Sequence, residues 1–204
     1  MIRLLFLVLC GISLGAAALQ PVPPPNWPGP FDIQTNTKTD PVVPLNMGPL
    51  QVVLERSTLA EIRNAIGIGQ VGAQGDASES VRWLCYTLSR AEPKQRLWLH
   101  SGELGGGNII DGFSAVELSR KGKAQQGCPE LPKAFLPVRL TNGLWLGSTD
   151  KAIQRTLGSS RRQGALRSYE YLGKDGDFDV SGTLVVRIEG GKARSLCVNH
   201  TTTN

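Results

Sequence analysis

Histidine is almost missing from this sequence: only His100 and His200 occur in 204 residues. His100 falls in a strand-like run and His200 close to the terminus, so a Ser/His/Asp or Cys/His catalytic arrangement is hard to assemble. Cysteine is sparse as well. No two of the four cysteines stand at the short spacing of a zinc site, and neither a metal nor a cofactor is expected. After residue 18 no apolar run approaches the roughly 20 residues that cross a bilayer. Basic residues are scattered except for Arg161, Arg162 and Arg167, which argues against the concentrated basic face of a nucleic-acid binder. The net charge of +5 is read instead as solubility, or as attraction to an acidic partner.

What is present begins at the N-terminus. Met1-Ile2-Arg3, the apolar stretch Leu4–Leu14 and the small residues Ala16-Ala17-Ala18 form the pattern of a cleavable secretory signal, with cleavage expected after Ala18. Leu7-Val8-Leu9-Cys10 loosely resembles a lipobox, but Leu9 stands where a small residue belongs. The expectation is therefore a periplasmic or secreted protein without a stable membrane anchor, a monomer or weak oligomer. Export would remove Cys10 and leave Cys85, Cys128 and Cys197 in an oxidising compartment. Three pairings are possible. Cys85–Cys128 is favoured, because both lie in the first half and close a loop of useful length. Cys197 is then left over, free, joined to a second chain or replacing one of the pair.

Residues 19–44 read as a flexible leader, with Pro21, Pro23, Pro24, Pro25, Pro28 and Pro30 favouring polyproline conformation. Beyond it a pattern occurs twice. Ser57-Thr58-Leu59-Ala60-Glu61-Ile62 runs on to Gly67, and Ser148-Thr149-Asp150-Lys151-Ala152-Ile153 runs on to Gly158, at one constant separation. Each reads as a threonine cap, a short helix and a C-terminal glycine, and Thr58 with Glu61 forms a capping-box pattern. Three β-branched or aromatic runs follow each helix: 81–88, 96–101 and 113–118, then 168–172, 183–188 and 193–198. The expected fold class is α+β, two tandem units, each a helix packed on a small antiparallel sheet. Residues 45–124 and 141–200 would form the units, and 125–140 would join them.

In the second unit Leu146-Gly147-Ser148-Thr149, Leu157-Gly158, Tyr169-Glu170-Tyr171 and Glu189-Gly190-Gly191-Lys192 together resemble the fold shared by the β-lactamase inhibitor protein and the small lipoproteins of outer-membrane assembly (SmpA/OmlA-like). The inhibitor is a tandem of two such units, which parallels the duplication here. The resemblance implies a protein that works by binding another protein, either as an inhibitor of a hydrolase or as an envelope-assembly accessory. The inhibitor's contact loops cannot be matched residue by residue, so no inhibitory residue is carried over.

Ser148-Thr149-Asp150-Lys151 fits Ser-x-x-Lys, the nucleophile motif of serine β-lactamases and penicillin-binding proteins. The alternative to a binding module is thus a serine hydrolase using Ser148 and Lys151. Its companion motifs are absent, and the duplicate site has Ala60 in place of the lysine, so a helix cap explains the residues better. Asp175, Asp177 and Asp179 offer oxygen ligands at the first three spacings of a calcium loop, but Val180 and Val186 occupy the positions of the required glycine and glutamate. Ser101–Gly107 lacks the Gly-Lys-Ser/Thr ending of a phosphate loop. Asn199-His200-Thr201 is a glycosylation sequon, relevant in a eukaryotic secretory host.

In Arg96-Leu97-Trp98-Leu99-His100 the leucines alternate with the other three residues. If the leucines meet a helix, Arg96, Trp98 and His100 share the open sheet face, and an exposed tryptophan beside cations is hot-spot chemistry. Burial of Trp98 between the two units is the competing expectation. Arg187, outward in the alternation of Leu184, Val186 and Ile188, joins Arg96, Trp98 and His100 as a candidate binding residue for a protein partner.

Overall fold

The computed structural model describes residues 21–27, 37–76, 80–103, 105–119 and 127–204. The expected signal peptide, residues 1–18, lies outside these. Both helices start at the expected threonines. Helix α1 (Leu59–Ile66) is capped by Thr58, whose hydroxyl accepts from the Glu61 N–H while the Glu61 carboxylate accepts from the Thr58 N–H. It ends at Gly67, which takes φ 80°, a conformation that glycine adopts without a Cβ clash. Helix α2 (Asp150–Leu157) is capped by the Thr149 hydroxyl, which accepts from the Ala152 N–H, and it is followed by Gly158. A missing cap of this kind costs about 1 kcal/mol, so each threonine fixes where its helix begins.

The rest of the described chain is mostly β. Strands β1 (Leu45–Met47), β2 (Leu50–Val52) and β7 (Val138–Leu140) form a small antiparallel sheet in the order β2-β1-β7. Strands β3 (Gly72–Gln74), β4 (Val81–Leu88), β5 (Gln95–Ser101), β6 (Gly112–Glu117), β8 (Arg161–Gln163), β9 (Leu166–Asp175), β10 (Phe178–Glu189) and β11 (Lys192–Thr203) form one antiparallel sheet. Its order is β3-β4-β5-β6-β11-β10-β9-β8.

This overturns the expected fold class. There are not two tandem units with a helix on each small sheet, but a mostly β molecule with an eight-stranded sheet, a three-stranded sheet and two short helices. The joint is β6 against β11, registered from Ser195 opposite Val116 to Asn199 opposite Gly112. Each expected three-stranded unit would have left a long edge with unpaired N–H and C=O groups, and joining the two edges satisfies both. A second tie runs through the small sheet. There β1, from ahead of α1, pairs with β7, from ahead of α2, so the two parts of the sequence interlock.

The core follows from this joining. Leu59, Ile62 and Ile66 of α1, Ile153 of α2, and Leu45, Met47, Val138 and Leu140 of the small sheet belong to one buried cluster. The same cluster takes in Leu84, Leu97, Leu99, Phe113, Leu184, Val186 and Val198 of the large sheet. A separate cluster, Trp83, Cys85, Trp98 and Cys128, lies on the opposite face with Val22 packed against it. The disulfide Cys85–Cys128 forms, across a sequence separation of 43. A loop of that length gives it about 4 kcal/mol of stabilisation in the chain-entropy account. It also anchors the segment after β6: the Thr87 N–H donates to the Pro129 carbonyl, and the Leu131 N–H to that of Thr87.

Candidate functional site

Alternation along β5 places the four expected binding residues on one face of the large sheet. Arg96, Trp98 and His100 point away from Leu97 and Leu99, and cross-strand register carries the row of Arg96 through Val116 and Ser195 to Arg187. Their exposure differs from the hot-spot expectation. Trp98 and Arg96 are each only 3% exposed, His100 is partly buried, and Arg187 alone is exposed. Trp98 Nε1 donates to the Val22 carbonyl at 2.9 Å, and the Arg96 guanidinium stacks 5.8 Å from the Trp98 ring centroid. Burial pushes the Arg96 pKa down from its usual value. His100 Nδ1 lies 3.6 Å from an Asp111 carboxylate oxygen, and the other oxygen accepts from the Gly102 N–H. Trp98 is buried, though beneath the leader at Val22 rather than between two units. Much of the face it lies on is buried, with Ser114, Ser168, Glu170, Ser195 and Cys197 covered as well. Burial pushes the Cys197 thiol up to about 12.

The other expected features have structural places in the fold. The Ser148 hydroxyl accepts from the Trp145 N–H at 3.1 Å, closing the turn that leads into α2, while Lys151 is exposed on the helix. The Ser57 hydroxyl does the same for the Val53 N–H ahead of α1. Asp175 and Asp177 flank Gly176 in the β9–β10 turn, and Asp179 pairs with Lys174 at 2.9 Å. Among the described residues no group of three or more His, Cys, Asp or Glu is arranged to hold a metal ion.

An accessible site lies elsewhere, in a cleft of about 600 Å³ where the end of β4, the segment ahead of β7 and the turn before α2 meet. Its floor is Trp145, nine-tenths buried, whose Nε1 donates to the Gln95 Oε1 at 2.8 Å. Leu88, Ala91, Leu136, Val138 and Leu146 contribute apolar wall. Arg90, Lys133 and Arg139 are exposed around it, and no Asp or Glu is among its described lining residues. Such a cleft accepts an apolar side chain at its base and carboxylates at its rim. Three exposed cations, none of them in a salt bridge among the described residues, also draw an anionic partner in from a distance.

Sequence reasoning missed these residues, because Lys133 and Arg139 fall in the stretch read as a linker and Arg90 in a turn. The one available signal was that Leu136-Pro137-Val138 and Leu144-Trp145-Leu146 are too apolar for a solvated connection.

No family model matches the chain, and no curated protein or solved structure matches it either.

Proposed function

We propose that this chain is an exported, non-catalytic binding protein that engages a protein partner through the cationic cleft. The observation that carries the reading is the cleft itself: a tryptophan floor, an apolar wall, three exposed cations and no acidic residue among its described lining. A partner segment presenting an apolar side chain flanked by carboxylates meets both requirements. Rim charges of this kind contribute most to the rate and specificity of encounter, and the apolar floor to retention. The disulfide is consistent with an oxidising compartment. Inhibition of a secreted or envelope hydrolase is one form of this activity, and assistance in envelope assembly is another.

The test is capture of the partner from envelope extract, followed by measurement of its Kd with the wild-type chain and with Arg90→Glu/Lys133→Glu/Arg139→Glu. Affinity is expected to fall at least about tenfold on charge reversal, and the wild-type affinity to weaken with salt. A partner bound equally well by the variant would reject the cleft.

A further inference from the structure

His200 lies on β11, directly opposite Gly182 of β10, and both of its ring nitrogens meet carboxylates from distant parts of the chain. Nε2 is 3.0 Å from Asp40 Oδ2, in the leader, and Nδ1 is 2.7 Å from Glu55 Oε2, in the turn after β2. The arrangement is built on both sides. Asp40 Oδ1 accepts from the Val42 N–H at 2.8 Å, and it occupies space that only glycine leaves at position 182. A Cβ there would come within 2.1 Å of that oxygen. Glu55, itself at φ 59°, accepts from both the N–H and the hydroxyl of Thr202, each at 2.7 Å.

A neutral imidazole carries one N–H, so it can donate to only one of these two carboxylates; the imidazolium donates to both. We propose that His200 is a pH-controlled pin that fastens the leader at Asp40 to the last strand of the sheet. Protonated, it holds Asp40 and Glu55 together on β11. Deprotonated, it keeps one N–H and turns a lone pair toward the other carboxylate, so the three-way clamp of Asp40, His200 and Glu55 is broken and the hold on the leader loosens.

Other charged and titratable groups stand around His200. Arg56, Tyr171, Lys174 and Asp175 line the same cleft, and Lys174 is already paired with Asp179. On the neighbouring strands the His200 N–H donates to the Asp111 carbonyl, and His100 stands against the Asp111 carboxylate. The hydrogen bond to Asp40 is the largest influence on His200. With that to Glu55 it outweighs burial and raises the imidazole above its usual value. Burial works to raise Glu55, but its bonds to Thr202 and His200 prevail and hold it below the usual carboxylate range. A histidine with a raised folded pKa contributes stability that is complete below the ordinary imidazole value and disappears as pH rises through the raised one. The pin is therefore closed in mild acid and opens toward alkaline pH.

Lys38 and Thr39 supply the readout. Both are exposed and lie between two fastenings: Thr37, whose N–H and hydroxyl donate to the Glu170 carbonyl, and Asp40. Trypsin cleavage after Lys38 in the full chain is measured from pH 6 to 9 and divided by the rate for a free peptide of the same sequence. The normalised rate is expected to rise several-fold in the wild type across this range, as His200 loses its proton. In His200→Gln it should already be high at pH 6 and stay flat. A wild-type rate independent of pH, or a His200→Gln chain that keeps the wild-type rise, overturns the proposal. Should His200→Gln fail to fold, NMR titration of the His200 ring in the wild type and in Asp40→Asn decides. A wild-type midpoint above about 6.5 that falls in the variant supports the pin; a midpoint unmoved by Asp40→Asn rejects it.

Discussion

On the helix-covered face of the large sheet, Leu84, Leu97, Leu99, Phe113, Leu184, Val186 and Val198 pack into one apolar cluster with both helices and the small sheet. On the opposite face Trp83 and Trp98 surround the Cys85–Cys128 disulfide, and beyond them lie the buried polar groups of Arg96, Ser114, Ser168, Glu170 and Ser195. The first face is held mainly by shape and apolar area, with few side-chain hydrogen bonds such as those of Trp145 to Gln95 and of Tyr86 to the Ile68 carbonyl. The second is held by a covalent bond and by several polar groups with partners: Ser168 donates to Glu170, Trp98 to the Val22 carbonyl, and Arg96 lies over an indole, while among the described residues Ser114 Oγ and Trp83 Nε1 are buried without a hydrogen-bond partner. Burial therefore does not make the second face a simple outside: much of it is interior, while Arg187 and Asn199 on it are exposed. A buried polar face costs desolvation wherever a partner is missing, so its contacts must be specific where those of the first face need only fit.

The comparison is broken most forcefully at the disulfide. Replacing both Cys85 and Cys128 by serine is expected to lower unfolding free energy by about 4 kcal/mol, read from denaturant titration under oxidising conditions. A loss within about 0.5 kcal/mol would mean that the second face behaves as ordinary surface. On the first face Leu99→Ala, at a fully buried position, should cost about 3 kcal/mol by the same measurement, through lost transfer energy and the cavity left behind. The finest probe is Trp98→Phe, which keeps a buried ring and removes the Nε1–Val22 bond. A loss of about 1 kcal/mol is expected, together with faster amide exchange at Val22, the residue whose carbonyl accepts the bond, and at Asn26 and Trp27. Equal exchange in the two proteins would show that the indole does not hold the leader.

Local signals in the sequence were reliable where the physics is local. Thr58 and Thr149 start the helices because a hydroxyl satisfies N–H groups three residues on, and Gly67 ends the first because it takes φ 80° without strain. The six longer strands occur within or around the expected runs, because alternation at period two is a property of the strand itself. Leu97 and Leu99 were correctly set against Arg96, Trp98 and His100 for the same reason. The site was less legible. Arg90, Lys133, Arg139 and Trp145 come from three separate stretches, and none has a motif that marks it.

The sequence by itself determined the caps, the strand faces and cysteines able to pair across a loop of useful length, since each depends on neighbours or on simple chain statistics. Tertiary structure alone decided that β6 and β11 would join, turning two expected sheets into one, because an edge is satisfied by any compatible edge and nothing local names its partner. It decided that much of the second face would be buried, with Val22 of the leader upon it. It also brought Asp40 and Glu55 to His200 from 160 and 145 residues away. A carboxylate's chemistry is written in the sequence, but its distance from an imidazole exists only once the chain has closed around both.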